Sequence, residues 1–225
     1  MALPSIVSPR KMEQLHYGTA IHYGCSVFDP AGTKSIQLST GVCVKVLCAT
    51  NGYTVSQQRF DGSESFNRTW DEYKEGFGDI SGEFWMGNDL LHYLTNIRPR
   101  MLRIEMENWF GVQKYAEYTT FSVANETFNY RLTLSGFSGN IVDMFSGMHD
   151  GQEFSTVDRD NDVWVNGACA ELGSSGWWYK QCYTCNLNGL YMEDLGVDES
   201  QSFIWFFFTT SVMARPLKES RMMFK

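Results

Sequence analysis

Hydrophobic and polar residues alternate most regularly in the middle of the chain. In "LRIEME", Leu102, Ile104 and Met106 fall on one side and Arg103, Glu105 and Glu107 on the other. "YRLTLS" repeats this period of two, with Tyr130, Leu132 and Leu134 directed inward. Successive side chains of a strand point to opposite faces, so each stretch reads as a strand with one dry and one wet face, and neighbours of this kind predict an antiparallel sheet. Nearer the start, "VCVKVLC" also alternates, among short strands and turns. Two segments carry helix signals. "TWDEYKEG" has Thr69 as N-cap, Glu72 placed to close a capping box and Gly76 as its stop. "GNDLLHYL" predicts a second short helix capped by Asn88. "FIWFFF" at 203–208 is far too short to cross a bilayer and reads as a buried strand. From about residue 139 to 212 neither period persists, over a stretch too long for an ordinary connection. Something other than backbone ladders must hold that region, and its aspartates and cysteines are the candidates.

Composition sharpens this picture. A chain of 225 residues fits one large domain or two small ones. With 16 Phe, 11 Tyr, 7 Trp and 20 Gly, it suits a loop-rich fold whose core is built from aromatic rings. The formal net charge of −8, with no cluster of Lys and Arg, argues against nucleic acid and against anionic membrane surfaces. The opening "MALPSIVSPRKMEQ" has no apolar run of the kind a signal peptide needs. Six cysteines (25, 43, 48, 169, 182, 185), an even number, favour an oxidising compartment. Two sequons, Asn67-Arg68-Thr69 and Asn125-Glu126-Thr127, are compatible with glycosylation at Asn67 and Asn125. Together these features read as a secreted, extracellular domain without its leader. There is no G-x-S-x-G, no phosphate-binding glycine loop and no H-E-x-x-H, and the histidines at 16, 22, 92 and 149 are scattered. An enzyme is not expected.

The clearest chemistry lies in "DRDNDVWVNGAC", residues 158–169, where aspartates stand at every second position. Calcium takes six to eight hard oxygen ligands and accepts a mixture of carboxylates, carbonyls and water. An i, i+2 spacing in a loop can aim two carboxylates at one point. An EF-hand is excluded, since counting from Asp158 puts Val163 where glycine is required and Cys169 where the bidentate glutamate belongs. A solvated acidic turn is the plain alternative.

Four longer segments, "NRTWDEYKEGFGDISGEFWMGNDLLHYLT", "GQEFSTVDRDND", "CAELGSSGWWYKQC" and "NLNGLYM", together resemble the fibrinogen C-terminal-like domain found in ficolins, tachylectins, tenascins, angiopoietins and fibrinogen. The similarity runs with few gaps from about Tyr53 to Tyr191 and more loosely from Cys25 to Lys225. It implies an α+β fold: a central twisted antiparallel sheet with short helices, a small disulfide-linked N-terminal subdomain and a loop-rich, calcium-binding C-terminal one. The corresponding boundaries are an extension at 1–24 and the domain at 25–225. Within the domain, 25–60 is the N-terminal subdomain, 61–140 the central sheet and 141–212 the calcium and ligand subdomain, and 213–225 is a terminal strand returning to the sheet. The resemblance implies one structural calcium ion, held by the side chains of Asp160 and Asp162 and the carbonyls of Trp164 and Gly167. The loop is one residue longer than usual before Cys169, so Asn166 could replace Gly167, and Asp158 is expected to support by hydrogen bonding. "NGYTV" lacks the glycine-rich Trp motif usual before the first helix, a mark of a divergent member.

The family pairs Cys25 with Cys48 and Cys169 with Cys182. Cys43 and Cys185 fall outside its pattern. They could pair with each other, pair between chains or stay free, with none of these pairings favoured. "CYTC" also has the spacing of a redox C-x-x-C, and a four-cysteine zinc site is possible by count. In sugar-binding members the pocket lies beside the second disulfide. A cis peptide, here Gln181-Cys182, turns the backbone N–H groups of Cys182 and Tyr183 outward to grip a carbonyl such as that of an N-acetyl group. This chain departs from that pattern: Tyr183 replaces a histidine, Gly173 an aromatic residue, and Glu199, followed by Ser200, a pocket tyrosine. Glu199 favours a cationic or hydroxyl-rich ligand. Tyr183, Trp177 and Trp178 also have a plain reading as core residues, and His149-Asp150 as a turn. The leading expectation is a lectin-like domain that binds glycans or acetylated groups on microbial or host surfaces. A protein-binding module for a receptor, peptide or matrix partner is the alternative, and a purely structural matrix domain a third. Single sites of this kind bind weakly, so oligomeric presentation is expected.

Overall fold

The computed structural model describes residues 24–193, 201–209 and 215–225. In chain order the strands are β1 (Gly32–Gln37), β2 (Cys43–Cys48), β3 (Thr54–Arg59), β4 (Phe77–Gly78), β5 (Phe84–Trp85), β6 (Leu102–Asn108), β7 (Gln113–Val123), β8 (Leu132–Gly139), β9 (Cys185–Asn186), β10 (Ile204–Trp205) and β11 (Leu217–Phe224). The helices are α1 (Trp70–Glu75), α2 (Asn88–Asn96), α3 (Ser146–His149) and α4 (Cys169–Gly173). One antiparallel sheet follows the order β1-β2-β3-β11-β6-β7-β8, with β5 also pairing β3 and β4. The last strand lies in the middle of the sheet, where Ser220 pairs with Arg59 on one side and Met106 on the other.

The period of two read in "LRIEME" is the observed burial of β6: Leu102, Ile104 and Met106 face the core, and Arg103, Glu105 and Glu107 stay half-exposed. On the wet face Arg103 lies 2.8 Å from Glu117 and 2.9 Å from Glu105. These partly solvated pairs contribute at most about 1 kcal/mol each. They line an open hollow of about 960 Å³ together with Arg221 and Lys225. Helix α1 begins as predicted: Thr69 accepts from the Glu72 N–H, the Glu72 side chain accepts from the Thr69 N–H, and Gly76 ends the helix.

Three local readings are corrected. Asn88 is the first residue of α2, and Gly87, at φ 100°, is the cap. A Cβ at Gly87 would stand 2.8 Å from the Glu75 carbonyl, so the backbone passes too close for any other residue. The Asn88 side chain instead accepts from the Trp85 indole N–H at 3.0 Å. Tyr130 is buried as expected but precedes β8, in the left-handed region at φ 50°. Within "FIWFFF" only Ile204–Trp205 forms a strand, and Phe207 is 45 % exposed at φ 53°.

Aromatic rings join the sheet to the irregular C-terminal region. Tyr73 of α1 lies 5.1 Å from Phe154, Phe154 5.3 Å from Trp178, Trp178 5.2 Å from Trp177, and Trp177 5.2 Å from Phe145. Each such pair adds about 0.5–1.5 kcal/mol beyond burial. Trp177 and Trp178 are therefore core residues, wholly buried. Polar contacts cross the same boundary. Arg59 donates to the Gly189 carbonyl at 2.5 Å with its guanidinium 4.1 Å from the Phe66 ring centre, and Gln57 donates to the Leu187 carbonyl at 2.7 Å. Burial pulls the Arg59 pKa down to about 10, with nearby Glu83 opposing the fall.

Glu83 organises the turn after β3. Its buried carboxylate accepts from the backbone N–H groups of Phe60 (2.5 Å), Asp61 (2.9 Å), Gly62 (3.0 Å) and Glu64 (3.3 Å). Glu83→Ala leaves these partly buried amides without their acceptor and removes the charge that most opposes the fall in the Arg59 pKa, so it is predicted to cost about 3 kcal/mol. In thermal unfolding that loss is a drop of roughly 6–12 °C in Tm for a domain of this size. An unchanged midpoint would contradict it.

Candidate functional site

The acidic loop is held at its start by the core and at its end by a disulfide. Asn161 donates from its backbone to the Ser155 hydroxyl at 3.0 Å and from its side chain to the Phe154 carbonyl at 2.7 Å. Asp158 lies outside the carboxylate pair. It accepts from the Trp70 N–H at 2.8 Å and the Thr156 hydroxyl at 2.7 Å, which anchors the loop to the first turn of α1.

Asp162 is the centre of the loop. One carboxylate oxygen accepts from the Trp164 N–H and the other from the Cys169 N–H, both at 2.7 Å, so a single side chain spans the loop to the first residue of α4. Asp160 folds in beside it and accepts from the Asp162 N–H at 3.1 Å. Burial, reinforced by Asp160, raises the Asp162 pKa, while the two amides oppose the rise. Among the described residues neither carboxylate has an ion-pair partner, and no three His, Cys, Asp or Glu side chains converge anywhere. Two hard carboxylate oxygens crowded together without a basic neighbour fit a cation, and with so few side-chain donors the ion must take carbonyls or water. That is calcium's preference. The carbonyls expected to join are those of Trp164 and Gly167, and they sit at one turn, closed by a 3.4 Å bond from the Gly167 N–H to the Trp164 carbonyl. Gly167 is fixed there because a Cβ would lie 2.6 Å from the Trp164 ring.

Both disulfides implied by the resemblance are present. Cys25–Cys48 has an S–S distance of 2.05 Å, Cys169–Cys182 one of 2.12 Å, and Cys43 and Cys185 are free. Cys185 is buried in β9 and Cys182 is bonded elsewhere, so "CYTC" is no redox pair. With Cys48 and Cys182 both oxidised, the four-cysteine zinc alternative also falls. The Gln181-Cys182 peptide is cis. The acidic loop touches this segment directly: the Val163 N–H donates to the Lys180 carbonyl at 3.0 Å, and the Lys180 N–H to the Cys182 carbonyl at 2.9 Å.

The expected pocket wall takes another form. Tyr183 is only 9 % exposed, with its ring 5.5 Å from Tyr179, and burial pushes its hydroxyl up to about 12. Gly173 is buried. A Cβ there would meet the Tyr179 hydroxyl at 2.5 Å and the Asn186 amide at 2.9 Å, so an aromatic side chain cannot be restored without displacing that packing. Gly173 faces inward, and Tyr179 fills the space beside it. Glu199 and Ser200 lie outside the described residues. Around the acidic loop the apolar side chains of Val165 (91 %), Val163 (56 %) and Leu172 (40 %) are exposed, among the exposed polar residues Asn166, Glu171, Lys180 and Gln181.

One organising residue was read in the sequence only as part of a turn. His149, wholly buried at the end of α3, bonds the Trp178 carbonyl through Nδ1 at 2.7 Å. A carbonyl only accepts, so Nδ1 carries the proton and Nε2 is the acceptor for the Thr184 and Cys185 N–H groups at 3.3 and 3.4 Å. His149 thereby fixes the strand that follows Cys182. Its only sequence signal is a lone histidine before an aspartate.

The family described as "Fibrinogen beta and gamma chains, C-terminal globular domain" matches residues 26–225. The chain belongs to this family. Bovine (Bos taurus) fibroleukin is 41% identical over 185 residues, covering 76% of this chain and 42% of that protein. The human fibrinogen alpha chain is 46% identical over 185 residues, covering 72% of this chain and 21% of that protein. The chain thus spans under half the length of either relative. Among solved structures, the fibrinogen-like globe domain of human ANGPTL2 superposes with a TM-score of 0.81 at 35% identity, covering 88% of this chain and 93% of that one. Lamprey fibrin D-dimer complexed with the peptide ligand Gly-His-Arg-Pro-amide gives a TM-score of 0.78 at 33% identity, covering 86% and 68%. The fibrinogen-like globe confirms the α+β reading, and membership places the chain among non-enzymatic binding and structural domains.

Burial pulls the His149 pKa down to about 4, with the Trp178 carbonyl and Asp143 opposing the shift. In the unfolded chain it returns to about 6.5. The unfolded state therefore binds the proton first, so the stability His149 contributes is present above pH 6.5 and is lost as pH falls toward 4. The loss amounts to about 3 kcal/mol. Denaturant unfolding of His149→Gln should show a stability curve flatter than wild type between pH 6.5 and 4. Parallel curves would contradict a buried neutral His149.

Proposed function

We propose that the chain is a secreted recognition module whose C-terminal loops, braced by one calcium ion, take a protein or peptide partner. The observation that carries this reading is the form of the site. The wall where an acetyl slot was expected is filled by Tyr179 and a buried Tyr183, and the rim beside it presents Val163, Val165 and Leu172 to solvent. An open surface mixing exposed apolar and polar side chains, without an acetyl slot, suits a peptide or protein better than a small sugar, which is held by convergent hydrogen bonds in a pocket. The lamprey fibrin D-dimer bound to a peptide, together with fibroleukin and angiopoietin-related relatives, supports the same class of partner. The two disulfides support an oxidising destination. Bound at Asp160 and Asp162, calcium would supply the positive charge this carboxylate pair lacks. The chain's own contribution is to present Asp162 already fixed by the Trp164 and Cys169 amides, so that little ordering remains on binding.

Two measurements test this reading. Calcium at about a hundred times its Kd should stabilise the fold by roughly 2.7 kcal/mol, a rise of about 5–10 °C in Tm that chelator reverses and Asp162→Asn abolishes. An unchanged midpoint in chelator would contradict the calcium assignment. Peptides selected from a displayed library should bind wild type and lose at least about tenfold on Val165→Asp, with free N-acetyl sugars having no effect, because a desolvated apolar contact is worth about 1.4 kcal/mol or more. If N-acetyl sugars compete and Val165→Asp is silent, the glycan or acetyl reading takes its place.

A further inference from the structure

The chain's two N-x-T sequons, Asn67-Arg68-Thr69 and Asn125-Glu126-Thr127, lie far apart in sequence, yet the fold brings them to one corner. Asn67 precedes α1 and Asn125 opens the turn between β7 and β8. Glu126, the middle residue of the second sequon, accepts from the Trp70 indole N–H at 2.9 Å and forms an ion pair with Lys74, both on α1. Arg159 closes the corner, with its guanidinium 3.9 Å from the Trp70 ring centre and also bonded to Asn129.

Both asparagines are exposed, and among the described residues neither side-chain amide makes a hydrogen bond. Their neighbours are occupied by other contacts. Arg68 turns toward Glu64 (2.6 Å) and Glu72 (2.9 Å), and the Thr69 hydroxyl caps α1. The Asn125 carbonyl accepts from the Phe128 and Tyr130 N–H groups, which leaves its side chain outside the turn. Asparagines near this corner that serve the fold look different: Asn129 donates to Glu153 at 2.6 Å and Asn161 to the Phe154 carbonyl at 2.7 Å.

We infer that Asn67 and Asn125 both carry N-linked glycans, and that the pair crowns the corner between α1 and the β7–β8 turn and bars it to partners. The inference rests on the secreted reading, because the glycosyl donor, an oligosaccharide linked through pyrophosphate to a lipid, is met in the secretory pathway. In the transfer the side-chain amide nitrogen bonds to the anomeric carbon, the bond from that carbon to the pyrophosphate oxygen breaks, the amide loses one proton and lipid pyrophosphate leaves. Each added chain is bulky and hydrated.

The experiment is expression of the full chain behind a secretion signal in eukaryotic cells, with intact mass measured before and after peptide-N-glycosidase in both medium and cell lysate. Wild type should lose two glycans, Asn67→Gln and Asn125→Gln one each, and the double variant none, with unfolding midpoints matching enzymatically deglycosylated wild type. Secreted, disulfide-bonded protein at its bare sequence mass would overturn the inference and leave the secreted reading standing. Occupancy of one sequon alone would overturn the paired crown. Glycosylated protein held inside the cells would support the inference and count against the secreted reading.

Discussion

A single carboxylate, that of Asp162, joins three things that the chain's periodicity cannot join. It accepts from Trp164 inside the acidic loop and from Cys169 at the start of α4, and it lies beside Asp160. Cys169 is bonded to Cys182, and Val163 reaches Lys180, two residues before Cys182. Loop, helix and cis-peptide segment are thereby tied to one another. The same arrangement places two like charges together, with burial already raising the Asp162 pKa. A cation bound there would offset that repulsion, so the proposed calcium ion would also bear on the rigidity of this region.

Beneath that unit the support is aromatic rather than laddered. β9 and β10 are two residues each, too short to stabilise the C-terminal third by themselves. The ring series from Tyr73 through Phe154, Trp178 and Trp177 to Phe145 ties it to the sheet, and Gly176 admits the approach, since a Cβ there would stand 2.6 Å from the Tyr73 ring. His149 adds a polar pin inside this packing, neutral because burial outweighs the opposing pull of Asp143. A stable base and a loop surface free to vary suit a family that meets different partners with one fold.

What could be read in the sequence follows from the range of the interactions. The capping box of Thr69 and Glu72 and the alternation of β6 depend on neighbours within a few residues and emerged as predicted. The insertion of β11 between β3 and β6 depends on residues more than a hundred positions apart; the resemblance implied only that a terminal strand returns to the sheet, not where. Asn88 misled because asparagine is a good cap, yet the close pass of Gly87 over Glu75 decides the helix start. "FIWFFF" misled because uniform apolarity fixes burial but not conformation. At the site, the spacing of the aspartates could be read directly and both disulfides followed from the resemblance, whereas the packing of Tyr179 beside Gly173 could not be read, since only the folded backbone shows which way Gly173 faces.

The central claim is that the Asp162 carboxylate, the proposed calcium ion and the Cys169–Cys182 bridge together order residues 160–185. Native-state hydrogen exchange of the Trp164 and Cys169 amides tests it most directly, with the β6 and β11 amides as internal reference. In calcium both amides should be protected. In chelator, or in a Cys169→Ser/Cys182→Ser variant, they should exchange at least about tenfold faster, as loss of about 1.4 kcal/mol of local stability requires, while β6 and β11 stay protected. Equal protection of Trp164 and Cys169 under all three conditions would contradict the account.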